Sequence, residues 1–242
     1  VSVGKQAQVQ DCVGALLAGG HMLLEGGPGV GKATRAHALS RTVGLQFSRV
    51  QFTADLMPSD LTGVSIYERG KESFVFHPGP VFTQVLLADE INRASPKTQS
   101  ALLEAMEEKQ VSVEGATRPL PQPFFVIATQ NPFDQLGTFA LPESQLDRFL
   151  MRISLGYPDR ASERQLLAGS DRRDMLASLP PLLAQGELAE LQRQVLAVHA
   201  AGPLLNYVQD LIAATRSGRW FVQGLSPRAG IALVRAAKAQ AL

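Results

Sequence analysis

The chain has 242 residues, 45% of them hydrophobic, and a formal net charge of +1, enough apolar material for one large domain or a core domain with a smaller companion. So balanced a charge gives no electrostatic basis for binding nucleic acid or a membrane surface, and no apolar run approaches the roughly 18 residues of a membrane-spanning helix. The lone Cys12 excludes a disulfide framework, and with nothing resembling a signal peptide a cytoplasmic location is expected.

Gln6 to Leu17 place Val9, Val13, Leu16 and Leu17 at helical spacing, and Gly19-Gly20 ends that helix. His21 to Glu25 predicts a strand, and a helix is expected from about Lys32 to Val43. Between them lies Gly26-Gly27-Pro28-Gly29-Val30-Gly31-Lys32-Ala33-Thr34. Strand, glycine-rich loop and helix in succession have the form of a phosphate-binding loop. Glycines let the backbone N–H groups wrap an anion, the helix adds the positive end of its dipole, and Lys32 adds a full charge. The usual pattern continues with a Ser or Thr whose hydroxyl ligates Mg²⁺. Here Ala33 follows the lysine and Thr34 comes one residue late, turned by about 100° on a helix. Arg35 reads as a solvated side chain rather than one that reaches a phosphate or a neighbour.

Phe47 to Phe52 predicts a second short strand. Asp60 to Gly63 then lead into a hairpin with arms Val64–Tyr67 and Ser73–Phe76 around the polar turn 68–72, closed by His77-Pro78-Gly79-Pro80. Val85-Leu86-Leu87-Ala88-Asp89-Glu90 is an uninterrupted apolar run ending in two carboxylates. It reads as a strand buried on both faces of a parallel sheet, with its charged end where open α/β sheets bind ligands. Behind a phosphate loop, Asp89 would hold Mg²⁺ through water and Glu90 would orient or deprotonate an attacking water.

Ser95-Pro96 supplies an N-cap and a first-turn proline for a helix from Pro96 to Glu108, whose Leu102, Leu103 and Met106 form a core face. A second hairpin is expected from Val111–Val113 across Glu114-Gly115 towards Thr117, and Phe124–Ala128 reads as another buried strand ending in Thr129-Gln130-Asn131-Pro132. On sequence alone Asn131 marks a turn, and Arg148, in the short helical segment 142–149, pairs with Asp147 or Glu143. A last strand runs near Met151 to Leu155, and Tyr157-Pro158-Asp159 breaks the pattern. Helices follow at roughly 162–168, 187–199, 204–215 and from Pro227 onward, so a domain boundary is expected at 156–159. Arg228 falls in the first turn of the last helix, where a cation opposes the dipole and an anionic partner would explain it. The chain begins without Met and stops inside a helical pattern, as expected of a piece of a longer protein.

These segments together resemble the MoxR group of AAA+ ATPases over nearly the whole chain. The resemblance rests on His21–Gly26 with the loop, Leu87–Ala94, Ser100–Glu108, Ala128–Pro132, Leu141–Glu143 with Gln145–Phe149, and Ser226-Pro227-Arg228. It implies an α/β AAA+ P-loop NTPase core over residues 1–157, with a parallel sheet, helices on both faces and two β-hairpin insertions. A small all-helical lid, truncated in this chain, would occupy 158–242. Under it Gly26 to Thr34 form Walker A, Asp89 and Glu90 Walker B, Asn131 sensor 1, Arg148 the arginine finger and Arg228 sensor 2, reaching the γ-phosphate from the lid. Val3 and Gly4 would border adenine, and the hairpins would face a ring's pore or a client. The cofactors implied are ATP and Mg²⁺, and the assembly implied is a homo-oligomeric, hexameric ring with a von Willebrand factor A-domain partner, acting as a chaperone-like remodelling factor. Ala33 departs from the family pattern. It leaves open a nucleotide-gated module with weak hydrolysis, and the related magnesium-chelatase ATPase subunits share these motifs.

Overall fold

The computed structural model describes residues 5–27, 30–132, 136–168, 179–184 and 186–242. Five parallel strands form the central sheet: β1 (Met22–Glu25), β2 (Phe47–Gln51), β5 (Val85–Asp89), β8 (Phe125–Gln130) and β9 (Met151–Ser154), in the order β2-β5-β8-β1-β9. A sheet buried on both sides needs apolar residues at every strand position, and the alternating directions of the side chains then divide them between two cores. Leu23, Leu86, Ala88, Val126 and Ala128 face one way, against Leu102, Leu103 and Met106 of α4 (Pro96–Glu108). Met22, Leu24, Val85, Leu87, Phe125 and Ile127 face the other, against Ala15 and Leu16 of α1 (Gln6–Leu17) and Ala36 of α2 (Lys32–Thr42). Cys12 lies in this second core, and burial pushes its thiol up to about 11, so it packs as a neutral group.

Two hairpins stand off the sheet, β3 (Gly63–Glu68) with β4 (Ser73–Pro78), and β6 (Gln110–Val113) with β7 (Ala116–Pro119). They touch through Arg118, whose guanidinium lies 3.9 Å from the centre of the Phe76 ring. Where only a lead-in to the first hairpin is expected, a short helix α3 (Pro58–Thr62) forms; Pro58 starts it, and the Asp60 carboxylate accepts the Met57 N–H at 2.8 Å. Strand β8 runs through Thr129 and Gln130 rather than stopping at Ala128, because pairing with β1 continues to Glu25↔Gln130. The helix α5 is shorter than expected, only Glu143–Leu146. Among the described residues the elements after β9 are helical: α6 (Arg160–Ala168), α7 (Glu187–Ala197), α8 (Gly202–Arg216) and α9 (Pro227–Gln240). Helix α9 packs on α1, α7 and α8, and Ala18, Val195 and Ala239 make a small third core between the sheet region and these helices. Among the described residues no helix is long and apolar enough to cross a membrane.

His21, just before β1, fastens the sheet to α4. Its Nδ1 accepts the Val126 N–H at 3.0 Å and its Nε2 faces the Met106 carbonyl at 3.1 Å, which requires the neutral Nε2–H tautomer. Burial lowers its pKa from 6.5 to about 4. Between those values the unfolded chain binds the proton that the folded chain refuses, so stability is full above pH 6.5 and is lost as pH falls towards 4, by an amount on the order of 3 kcal/mol. The urea midpoint should therefore fall across that window, and His21→Gln, less stable at pH 7, should show a flatter decline.

Candidate active site

Three neighbouring strands end together at one edge of the sheet. Strand β1 delivers the loop that begins at Gly26, β8 ends beside it at Gln130-Asn131, and β5, on the far side of β8, ends in Asp89-Glu90. Lys32, Asp89, Glu90 and Asn131 are thus brought to one edge. Within the loop Gly31 is left-handed, at φ 79°, and caps α2. Gly26 passes so close to β9 that a Cβ would meet the Leu155 carbonyl at 2.7 Å. Lys32 Nζ donates to the carbonyls of Gly26 at 2.6 Å and Gly27 at 3.2 Å. Burial lowers the pKa of Lys32, while Asp89 and Glu90 pull it the other way. Val30 and Ala33 pack against the second core. Thr34 is half-buried on the next position of α2. Pro28 and Gly29, and Val3 and Gly4 at the chain start, lie outside the described residues.

The carboxylates are held by partners the sequence does not advertise. The Thr129 hydroxyl donates to Asp89 Oδ1 at 2.6 Å and accepts the Glu90 N–H at 2.9 Å, while Arg49 Nη2 donates to Asp89 Oδ2 at 2.6 Å. Glu90 has a left-handed backbone, at φ 56°. Its Oε2 takes the Gln51 amide at 3.0 Å and Arg93 Nε at 2.8 Å. The only trace of Arg49 and Gln51 in the sequence is a pair of polar residues two apart near the end of an edge strand, pointing to one face. Behind the loop, buried Glu25 accepts from Gln130 Nε2 and from Arg152 Nε at 2.5 Å, tying the ends of β1 and β8 to Arg152 of β9. Arg35 is not merely solvated: its Nη1 donates to the Val30 carbonyl at 2.9 Å, bracing the loop from α2.

Arg148 and Arg228 lie elsewhere. Leu150 N–H donates to the His21 carbonyl at 2.8 Å, which puts Arg148 at the beginning of the parallel strands β1 and β9, opposite the loop. Crossing β1 alone is about 13 Å. Arg148 does not pair with Asp147 or Glu143; it pairs with Glu107 at 3.1 Å, while Asp147 accepts from the Ser226 hydroxyl. Arg228 pairs with the same Glu107 at 2.6 Å, the anionic partner that its place in a first helical turn calls for.

The nucleotide edge fits phosphate through the cradle of Gly31 and Lys32. For Mg²⁺ it offers little protein oxygen: Ala33 brings none, and both oxygens of Asp89 are already bonded. Such an edge suits a cation that arrives with the nucleotide and keeps its waters, rather than one held in a protein cage. Among the described residues no three His, Cys, Asp or Glu gather into a metal site.

The family model described as the ATPase family associated with various cellular activities (AAA) matches residues 21–151. Chaperone MoxR1 of Mycobacterium tuberculosis is 42% identical, over 100% of this chain and 66% of its own length. Protein MoxR of Paracoccus denitrificans is 34% identical, over 99% of this chain and 77% of its own. The chain belongs to the MoxR family of AAA+ ATPases. Uncharacterized protein YeaC of Bacillus subtilis is 48% identical across all of this MoxR chain and 76% of its own length. A crystal structure of a Cytophaga hutchinsonii protein assigned as an ATPase superposes with a TM-score of 0.87 at 40% identity, covering 100% of this chain and 76% of the other. The α/β sheet with helices on both faces, followed by a helical region, is the AAA+ fold expected from the sequence.

Proposed function

We propose that this chain binds ATP with Mg²⁺ and hydrolyses it between the subunits of a cytoplasmic hexameric ring, as a chaperone-like remodelling factor for a partner with a von Willebrand factor A domain. Residues 1–157 serve as the nucleotide core and 158–242 as the lid. One observation carries the reading: Lys32, Asp89, Glu90 and Asn131 converge at one edge of the sheet, while Arg148 and Arg228 stand at the opposite end, out of reach of their own loop. An arginine so placed serves a neighbour's phosphate. Lys32 and the loop N–H groups hold the phosphates, Glu90 orients the water, and Asn131 stands between them. A bound Mg²⁺, held through Asp89, would supply positive charge against the transferring phosphoryl group. The first hairpin, with Phe74 at 74% and Tyr67 at 51% exposure, offers an aromatic surface to a client.

A second reading is favoured by Ala33 and by the crowding of Asp89: a nucleotide-gated assembly module that binds ATP and turns it over slowly. Single-turnover hydrolysis by the assembled protein across a Mg²⁺ series separates the two, with Ala33→Thr beside it. The variant is expected to lower the Mg²⁺ half-point by about tenfold, the effect typical of one added interaction at a metal site, and to turn over faster. Equal rates and equal Mg²⁺ demand would show that Ala33 costs nothing. No hydrolysis by either protein, with binding intact, would favour the gating module.

A further inference from the structure

The acidic end of α4 belongs to a stretch, Ser100–Glu108, that the nucleotide chemistry leaves without a role. Its Glu107 carboxylate joins two regions of the chain. Oε2 pairs with Arg148 Nη1 at 3.1 Å and Oε1 accepts from Arg228 Nη2 at 2.6 Å. Arg148 Nη1 also donates to the Leu103 carbonyl at 2.8 Å, one turn back on the same helix. Beside this pair runs a second tie. The Ser226 hydroxyl donates to Asp147, 2.6–2.8 Å from its two oxygens, and accepts the Ala229 N–H at 3.0 Å as the N-cap of α9. Consecutive residues 147 and 148 are thus latched to residues 226 and 228.

Two guanidinium groups on one carboxylate leave an uncompensated positive charge, and the three side chains remain 30%, 38% and 49% exposed for Arg148, Glu107 and Arg228. Pairs so exposed contribute little to stability, so this geometry is not explained by holding the fold. What it does is remove freedom. A guanidinium on a flexible stem needs acceptors to fix its plane, and two guanidinium groups side by side repel unless an anion lies between them. We propose that Glu107 is a positioning residue: it sets Arg148 and Arg228 as one unit towards the phosphates on a second copy of the chain, and the Asp147–Ser226 tie makes that unit follow the start of α9. The proposal rests on the reading that these arginines act across a subunit interface.

The test uses the full chain and compares Glu107→Gln and Glu107→Asp with Arg148→Ala. It measures kcat and KM for ATP at concentrations where assembly is complete, the affinity for a fluorescent ATP analogue, and the melting midpoint. Glu107→Gln keeps the shape but sets an amide donor against two donors. Its kcat is expected to fall about 10- to 100-fold, the loss typical of a hydrogen bond to a charged group. KM, analogue affinity and melting midpoint should stay in place. Glu107→Asp, which keeps the charge one methylene short, should recover part of the rate. Combining Glu107→Gln with Arg148→Ala should cost less than the product of the two single losses, since Glu107 acts in part through Arg148. A wild-type rate for Glu107→Gln beside a slow Arg148→Ala would overturn the positioning role and leave the interface reading standing. A wild-type rate for Arg148→Ala would overturn the interface reading itself. A loss in Glu107→Gln matched by a lower melting midpoint or failed assembly would make Glu107 a structural residue and overturn the proposal too.

Discussion

Glu90→Gln is expected to bind ATP as the unaltered chain does and to release phosphate about 10²- to 10⁴-fold more slowly, the range lost when a positioned acid–base group is removed. The expectation follows from how Glu90 is held. Its N–H is fixed by the Thr129 hydroxyl, its backbone takes a left-handed turn off the end of β5, and Gln51 and Arg93 both grip one oxygen. A residue placed in a backbone conformation that costs energy, with its carboxylate oriented by two donors, is built to present the other oxygen. Gln is close in shape and keeps an oxygen acceptor, so the loop, Lys32 and Asp89 should not move, and analogue affinity should change less than twofold. Phosphate release and analogue binding, measured on the same preparation, check both halves. Equal turnover would remove Glu90 from the chemistry. Equal loss of binding and turnover would make it part of the nucleotide cradle instead.

The sequence shows where chemistry can occur but not what holds it in place. Gly26 to Thr34 and Val85 to Glu90 are legible because a local rule writes each one: a loop needs glycines in consecutive order, and a doubly buried strand needs an unbroken apolar run. The sheet order follows less directly, yet the division of Leu23 from Met22 and Leu24 into opposite cores is already written in their alternation. Arg49, Thr129 and the Glu25–Gln130–Arg152 tie are not legible, since their contacts join residues 39 to 127 positions apart, with no periodicity to mark them. Arg148 shows the same limit. Local spacing favours Asp147 or Glu143 as its partner, yet Arg148 meets Glu107 on α4, and Asp147 instead accepts from Ser226, 79 residues away. The helix at Pro58 was hidden for a different reason: five residues are too few to show a period, and only the proline and the Asp60 contact mark it.

Arg148→Ala should give the largest loss of all, about 10³- to 10⁵-fold in turnover if it acts as an arginine supplied across an interface, with ATP affinity of the isolated chain unchanged. The loss alone would not say whose phosphate Arg148 serves, because a structural arginine could also slow the enzyme. Mixing decides it. Glu90→Gln subunits carry an inactive catalytic edge and an intact arginine; Arg148→Ala subunits carry the reverse. If Arg148 works on its own chain's nucleotide, every subunit in the mixture is defective and nothing returns. If it works on a neighbour's, an Arg148→Ala edge beside a Glu90→Gln arginine makes one complete site, and mixing two nearly inactive proteins restores part of the rate. The geometry favours the second outcome. Arg148 sits where β1 and β9 begin, the loop sits where β1 ends, and the length of a buried strand separates them. An arginine cannot cross that distance within the sheet, but the edge where it stands, shared with Arg228 and Glu107, is open to a second copy.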